Sequence, residues 1–200
     1  MKKIVVATRN DGKVREIKDA FSRLPVELVS LADYPDVGEA VEDGSTFREN
    51  ALKKARFYHE KTGEACLADD SGLEVAALGG APGVKSARFA GTDTKDASDK
   101  DNNEKLVKEL LGLGLMDSAA DYRCVLAFID EDGTELVTEG RCDGTIHVVP
   151  HGMGGFGYDP YFYVDDERTM ADITLEEKQK ISHRGAALRD MCDKLADIWK

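Results

Sequence analysis

The sequence predicts an α/β or α+β fold around a central mixed β-sheet with flanking helices. Three observations carry this. Short apolar strands alternate with amphipathic helices early in the chain. Two long strand-like segments, Tyr122–Asp130 and Glu135–Val149, form a hairpin turning at Asp132-Gly133. A helix from Ala186 to Trp199 closes the chain, with Leu188, Met191, Leu195 and Ile198 inward. The 200 residues suffice for a single domain of two lobes over residues 1–200. The hairpin is expected to form one lobe and the chain ends the other, with the ligand site in the cleft between them.

The elements follow in order. Lys3–Ala7 reads as a buried strand. A helix from about Gly12 to Phe21 shows one apolar face through Val14, Ile17, Phe21 and Leu24. Val26–Ser30 is a second strand, and the acidic stretch Asp33–Ser45, with Pro35, Gly38 and Gly44, is a loop. Thr46-Phe47-Arg48-Glu49 has the spacing of a capping box and opens a helix to about Lys61. Ala65–Asp69 is the next strand, and Gly79–Gly83 a turn-rich loop. Ser98 to Leu111 is helical, with Leu106, Val107, Leu110 and Leu111 inward. Tyr161–Val164 is a strand, and Thr174-Leu175-Glu176-Glu177 is a second capping box.

Composition excludes some partners. The net charge of −12 argues against a nucleic-acid backbone, which rewards a basic face. No stretch reaches the roughly 18 apolar residues of a membrane span. The N-terminal apolar run meets Arg9 and Asp11 too soon for a signal peptide. Cys66, Cys124, Cys142 and Cys192 form no C-x-x-C and read as reduced thiols. A cytoplasmic location is the expectation.

Five segments could carry chemistry. Thr8-Arg9-Asn10-Asp11-Gly12-Lys13 joins a strand to a helix N-terminus, where unpaired N–H groups favour a phosphate. It lacks the Walker A spacing, and taken alone it reads rather as a plain N-cap and turn. Asp69-Asp70-Ser71-Gly72 puts two acids at the end of an apolar run. Buried carboxylates need a cation or a proton-transfer role, and Mg²⁺ asks for only one or two of them. Adjacent strand residues face opposite ways, so one acid would face the cleft and the other tie down the Ser71-Gly72 turn. Glu42 is a candidate second ligand, its alternative being a solvated charge in an acidic loop. Asn50 and Lys54 share a helix face. Gly154-Gly155-Phe156-Gly157-Tyr158-Asp159-Pro160 could expose a ring to a flat ligand, or simply turn into a strand. Lys178 and Ser182-His183-Arg184-Gly185 could supply donors to a base carbonyl, or form a surface turn between helices.

Taken together, these segments resemble the inosine/xanthosine triphosphate pyrophosphatases. The resemblance runs through Thr8–Lys13 with Glu16, Thr46-Phe47 with Glu49-Asn50-Ala51, and Ala68–Gly72. It continues through Gly80–Gly83, Ser86-Ala87-Arg88, Gly154–Pro160, Glu177-Lys178 and Ser182–Gly185. It implies an elongated two-lobed homodimer performing Mg²⁺-dependent hydrolysis of ITP, dITP and XTP to monophosphate and pyrophosphate. By motif, Asp70 would be the proton acceptor and, with Glu42, a metal ligand. Thr8, Arg9, Asn10, Asp11, Gly12, Lys13, Lys54 and Ser71 would hold the triphosphate. Phe156, Gly157, Tyr158, Asp159, Lys178, His183 and Arg184 would enclose the base. Arg9 departs from the glycine that bacterial relatives often carry.

Overall fold

Strands β1 (Lys2–Val6) and β2 (Val26–Ser30) pair in parallel across helix α1 (Asp11–Ala20), because a parallel pair needs a crossover. The structure, a computed structural model, describes residues 2–91 and 95–199. Helix α2 (Phe47–Thr62) leads into β3 (Ala65–Val75), which joins β1 in parallel on its other side, Val6 opposite Leu67. After α3 (Asp99–Gly112) come β4 (Asp117–Ile129), β5 (Glu135–His147) and the short β6 (Phe162–Tyr163), antiparallel to β5. Helices α4 (Leu175–Ile181) and α5 (His183–Ile198) finish the chain. The sheet is mixed, in the order β2-β1-β3-β4-β5-β6.

The chain divides into two compact units. The first holds Met1–Asp70, Cys124–Gly140 and His183–Lys200; the second holds Ser71–Arg123 and Arg141–Ser182. Each has its own core. Ile4, Val6, Ile17, Phe21, Leu67 and Phe128 pack with Leu188 and Met191 in the first. Leu73, Leu106, Leu110, Tyr122, Ile146 and Phe162 do so in the second. The hairpin therefore does not belong to one unit: its tip joins the chain ends and its base joins the second unit.

Several predicted boundaries move. β3 does not stop at Asp69 but runs six residues further to Val75, so the acidic pair sits within a strand and Ser71-Gly72 is not a turn. Leu73 and Val75, both buried, supply the apolar contacts that extend it. Glu49 leaves the expected capping box incomplete: Thr46 accepts from the Glu49 N–H, but the Glu49 carboxylate takes the N–H and hydroxyl of Ser45. The box at Thr174 is complete. Leu111 and Ile198 are exposed rather than inward. Helix α5 begins at His183, placing Ser182 alone between helices.

Gly140 shows how closely α5 lies on β5. A Cβ there would overlap the His183 carbonyl oxygen and come within 2.8 Å of the Ala187 amide nitrogen. Nearby, the Thr138 hydroxyl donates to the Ala187 carbonyl at 2.8 Å. Backbone cannot yield as a flexible side chain would, so Gly140→Ala should destabilise the protein by about 2–3 kcal/mol, read as a lowered urea midpoint. An unchanged midpoint would show that α5 shifts freely on the strand.

Candidate active site

In the first unit, the carboxyl end of β1 lies beside the first residues of β3, Val6 opposite Leu67. The Ala7 N–H donates to Leu67 O at 2.8 Å, which brings the segment after β1 next to the acidic pair. In open α/β sheets, ligands bind beyond strand carboxyl ends where successive connections diverge from one strand. Here β1 connects to β2 on one side and has β3 on the other. The Thr8 hydroxyl accepts from Asn10 N at 3.1 Å, and Asn10 caps α1 by accepting from Lys13 N at 3.0 Å. Arg9, Asn10 and Asp11 are exposed, while Thr8, Gly12 and Lys13 are half-buried.

Strand alternation then separates the two acids. Asp69 points to α1 and α5, where it meets the Lys13 ammonium and accepts from Arg184 Nε at 2.8 Å. Arg184 Nη1 donates to Glu16 Oε2 at 2.6 Å. Two cations and two carboxylates are thus balanced in one cluster, buried except at Lys13, and the Cys124 thiol adds a contact to Asp69 at 3.4 Å. Burial alone would raise the Asp69 pKa, but the charges of Arg184 and Lys13 outweigh it and hold the carboxyl well below its usual range. Burial also drives the Cys124 thiol upward, so it stays protonated as a donor.

Asp70 points the other way, toward α2. Lys54 Nζ stands 4.0 Å from its Oδ1, 2.7 Å from Glu42 Oε2 and 3.1 Å from the Asp69 carbonyl. Asp70 Oδ2 is buried and, among the described residues, has no hydrogen-bond partner. Burial pushes the Asp70 pKa up to about 6, against the pull of Lys54 and Lys13. A carboxylate oxygen with unused capacity, and a second carboxylate one ammonium away, fit a hard divalent cation. No cluster of three or more ligating side chains exists among the described residues. Asp70 and Glu42, either side of the Lys54 ammonium, are the two carboxylates here that could hold such a cation.

In the second unit, Lys178 Nζ donates to Asp159 Oδ2 at 2.6 Å and lies 4.7 Å from the centre of the Phe156 ring. Asp159 also accepts from the Phe156 N–H at 3.0 Å and from the Tyr122 hydroxyl at 3.2 Å. Tyr158 is buried and donates to Ser86 O at 2.7 Å. Phe156, Gly157, Tyr158, Asp159 and Lys178 are therefore brought together as the sequence suggests. Ser71 follows Asp70 in β3.

Arg184 requires a correction. Sequence reading offers it as a donor to the base or, alternatively, as part of a surface turn; the structure puts it in the first turn of α5, 2% exposed, serving Asp69 and Glu16. His183 beside it is buried as well. Lys13, read as a phosphate contact, is likewise tied to Asp69 in this structure. Glu16 had no assigned role, although its i,i+3 spacing from Lys13 puts both on one helix face. Cys124 gave no signal, because a small apolar strand residue looks the same with or without a charged neighbour.

The two acids should respond to mutation with opposite signs. Asp69→Asn leaves the buried Arg184 and the half-buried Lys13 with one carboxylate removed and should cost about 3–5 kcal/mol. Its stabilising effect exists above the ordinary carboxyl value of 3.8 and fades as pH falls below it. For Asp70, the folded value near 6 exceeds the unfolded 3.8, so ionisation between them works against folding. Asp70→Asn should therefore be more stable than wild type by about 2–3 kcal/mol at pH 7.5, with the gain shrinking toward pH 4. Thermal melts at the two pH values check both signs.

The profile of the Ham1 family matches residues 4–194. A dITP/XTP pyrophosphatase of Syntrophobacter fumaroxidans is 51% identical over 198 residues, covering 98% of this chain and 83% of that protein. One of Geobacter sulfurreducens is 48% identical over 196 residues, covering 98% and 97%. A HAM1 protein from Coxiella burnetii superposes with a TM-score of 0.86 at 40% identity, over 98% of this chain and 100% of its own. Matched in sequence and fold along nearly its whole length, the chain belongs to the Ham1 family.

Proposed function

We propose that this protein hydrolyses the deaminated purine nucleoside triphosphates ITP, dITP and XTP to monophosphate and pyrophosphate, with Mg²⁺. The observation that carries the reading is Asp70: a buried carboxylate with an unpartnered oxygen, next to Lys54 and Glu42. Membership in a family whose relatives bear the name dITP/XTP pyrophosphatase supports the substrate class.

The reading gives each residue a task. Thr8 to Lys13, Lys54 and Ser71 bind the triphosphate, with the α1 N-terminus directing N–H groups at phosphate oxygens. Asp70 orients a water and takes its proton as the water oxygen bonds to the α-phosphorus. The bond from that phosphorus to the bridging oxygen breaks, and pyrophosphate leaves. Mg²⁺, held by Asp70 and Glu42 when bound, supplies charge neutralisation on the phosphates. Lysine ammonium groups share that task. Phe156 offers a stacking face, and Lys178 and Asp159 present polar groups beside it. His183 supplies a donor to the 6-oxo group that hypoxanthine and xanthine carry and adenine lacks. A site built on such hydrogen bonds rejects a mismatched base by about 10⁴ or more.

A homodimer and a cytoplasmic location complete the reading. Exposed Leu113, Met116 and Val149 supply apolar surface on the second unit, where the Val148 N–H donates to Met116 O at 2.9 Å. The four cysteines are free thiols, and no helix among the described residues is long and apolar enough to cross a membrane.

Incubation of the purified protein with ITP, XTP, GTP and ATP should release pyrophosphate from the first two in preference to the others, only with Mg²⁺ present. Release of inorganic phosphate and a diphosphate instead would sink the assignment. Asp70→Asn should lose about 10²–10⁴ in kcat. Because proton and cation compete for one carboxylate whose pKa is about 6, Mg²⁺ binding measured calorimetrically should weaken as pH drops from 7.5 to 5. Affinity constant across that range would remove Asp70 from the metal site.

A further inference from the structure

Helix α3 enters none of the chemistry above, yet its first turns grip the segment assigned to the base. Asp99 and Asn103 are four residues apart and share a helix face. Asp99 Oδ2 accepts from the Gly157 N–H at 2.7 Å, and Asn103 Nδ2 donates to the Gly157 carbonyl at 2.9 Å. One peptide residue is therefore held at both its polar backbone groups by one helix. Gly157 has φ +62°, a left-handed conformation that strongly favours glycine, so the clamp secures a turn few other residues would adopt.

The neighbouring asparagine grips a second segment. Asn102 Oδ1 accepts from Ala90 N at 2.8 Å, and its Nδ2 donates to Ala87 O at 3.0 Å. Ser86, next in the chain to Ala87, accepts from the Tyr158 hydroxyl at 2.7 Å. The constraints form a ring: α3 to residues 87–90, through Ser86 to Tyr158, and through Gly157 back to α3.

Stability alone is a poor reason for this arrangement. Asparagine is among the weaker residues in a helix interior. Asn102 and Asn103 are both buried, and Asn103 Oδ1 lacks a partner among the described residues. A buried acceptor left unsatisfied costs free energy that an apolar side chain would not.

We propose that Asp99 and Asn103 are positioning residues for base recognition, fixing Gly157 so that the Phe156 ring stays over Lys178. The role rests on the proposed function of the Phe156–Asp159 segment. A fixed ring is ready to stack, whereas a released segment must be ordered when the base binds. Loss of the clamp therefore weakens what depends on the base and spares what depends on the phosphates.

Steady-state kinetics with ITP and inhibition by inorganic tripolyphosphate, which has no base, separate the two. Asn103→Ala should raise the KM for ITP by about five- to tenfold, the scale of one lost hydrogen bond, with kcat within about twofold. The tripolyphosphate inhibition constant should not change. Asp99→Ala, on an exposed side chain that leaves the core alone, should reproduce the KM effect, and Asp99→Asn, which keeps an acceptor, should restore it. An unchanged KM in both alanine variants overturns the positioning role and leaves the functional reading standing. A KM and inhibition constant that rise together show a merely structural role and overturn it too. A wild type that does not turn over ITP overturns both.

Discussion

The first unit depends on one buried carboxylate. Asp69 receives Lys13 from α1 and Arg184 from α5 on its side chain, and Lys54 from α2 on its carbonyl. Three helices are thereby referenced to one residue of β3. A buried ion cluster is weak evidence for net stability, since its desolvation offsets the attraction. What it supplies is geometry: removing any member leaves an uncompensated charge, so the alternatives are steeply disfavoured. Asp70 inherits that definition through the peptide it shares with Asp69.

The two acids show how position overrides chemical type. Identical side chains at adjacent positions face different surroundings because a strand alternates. Asp69 meets two cations, and its carboxyl is pulled far down. Asp70 meets one ammonium at 4.0 Å, which Glu42 already engages more closely, and burial dominates. Opposite pKa directions in neighbouring carboxylates are a recognised way for a site to separate structural from reactive acids.

Much of this was legible in the sequence, and the unread part has physical causes. The β1 and β2 strands, the α1 cap and the Thr174 box follow from local patterns, and the observed boundaries lie close to the expected ones. The sequence alone ends β3 at Asp69 because Asp69-Asp70-Ser71-Gly72 is polar, and only tertiary charge partners make that run compatible with a buried strand. The burial of Arg184 is not legible because nothing local announces Glu16 and Asp69, 168 and 115 residues away in the chain. The grip of Asn102 and Asn103 is equally non-local, although two adjacent asparagines inside a helix already run against propensity. Such contradictions of a local rule are where function is best sought.

That principle extends to the polar atoms the fold leaves unsatisfied. Asp70 Oδ2, Asn50 Nδ2 and Asn103 Oδ1 are buried without partners among the described residues. Asn50 holds the loop after Glu42 by accepting from Gly44 N at 2.7 Å, one helical turn before Lys54. Asn103 holds Gly157. Each of these three atoms costs about 1–3 kcal/mol left unsatisfied, and each of the three, unlike Asp121 Oδ2, belongs to the proposed reactive acid or to a residue that steadies a segment of the site. A fold selected for stability alone would have replaced them with apolar groups. Their presence fits a site whose polar groups are set in place before the ligand arrives rather than organised by it.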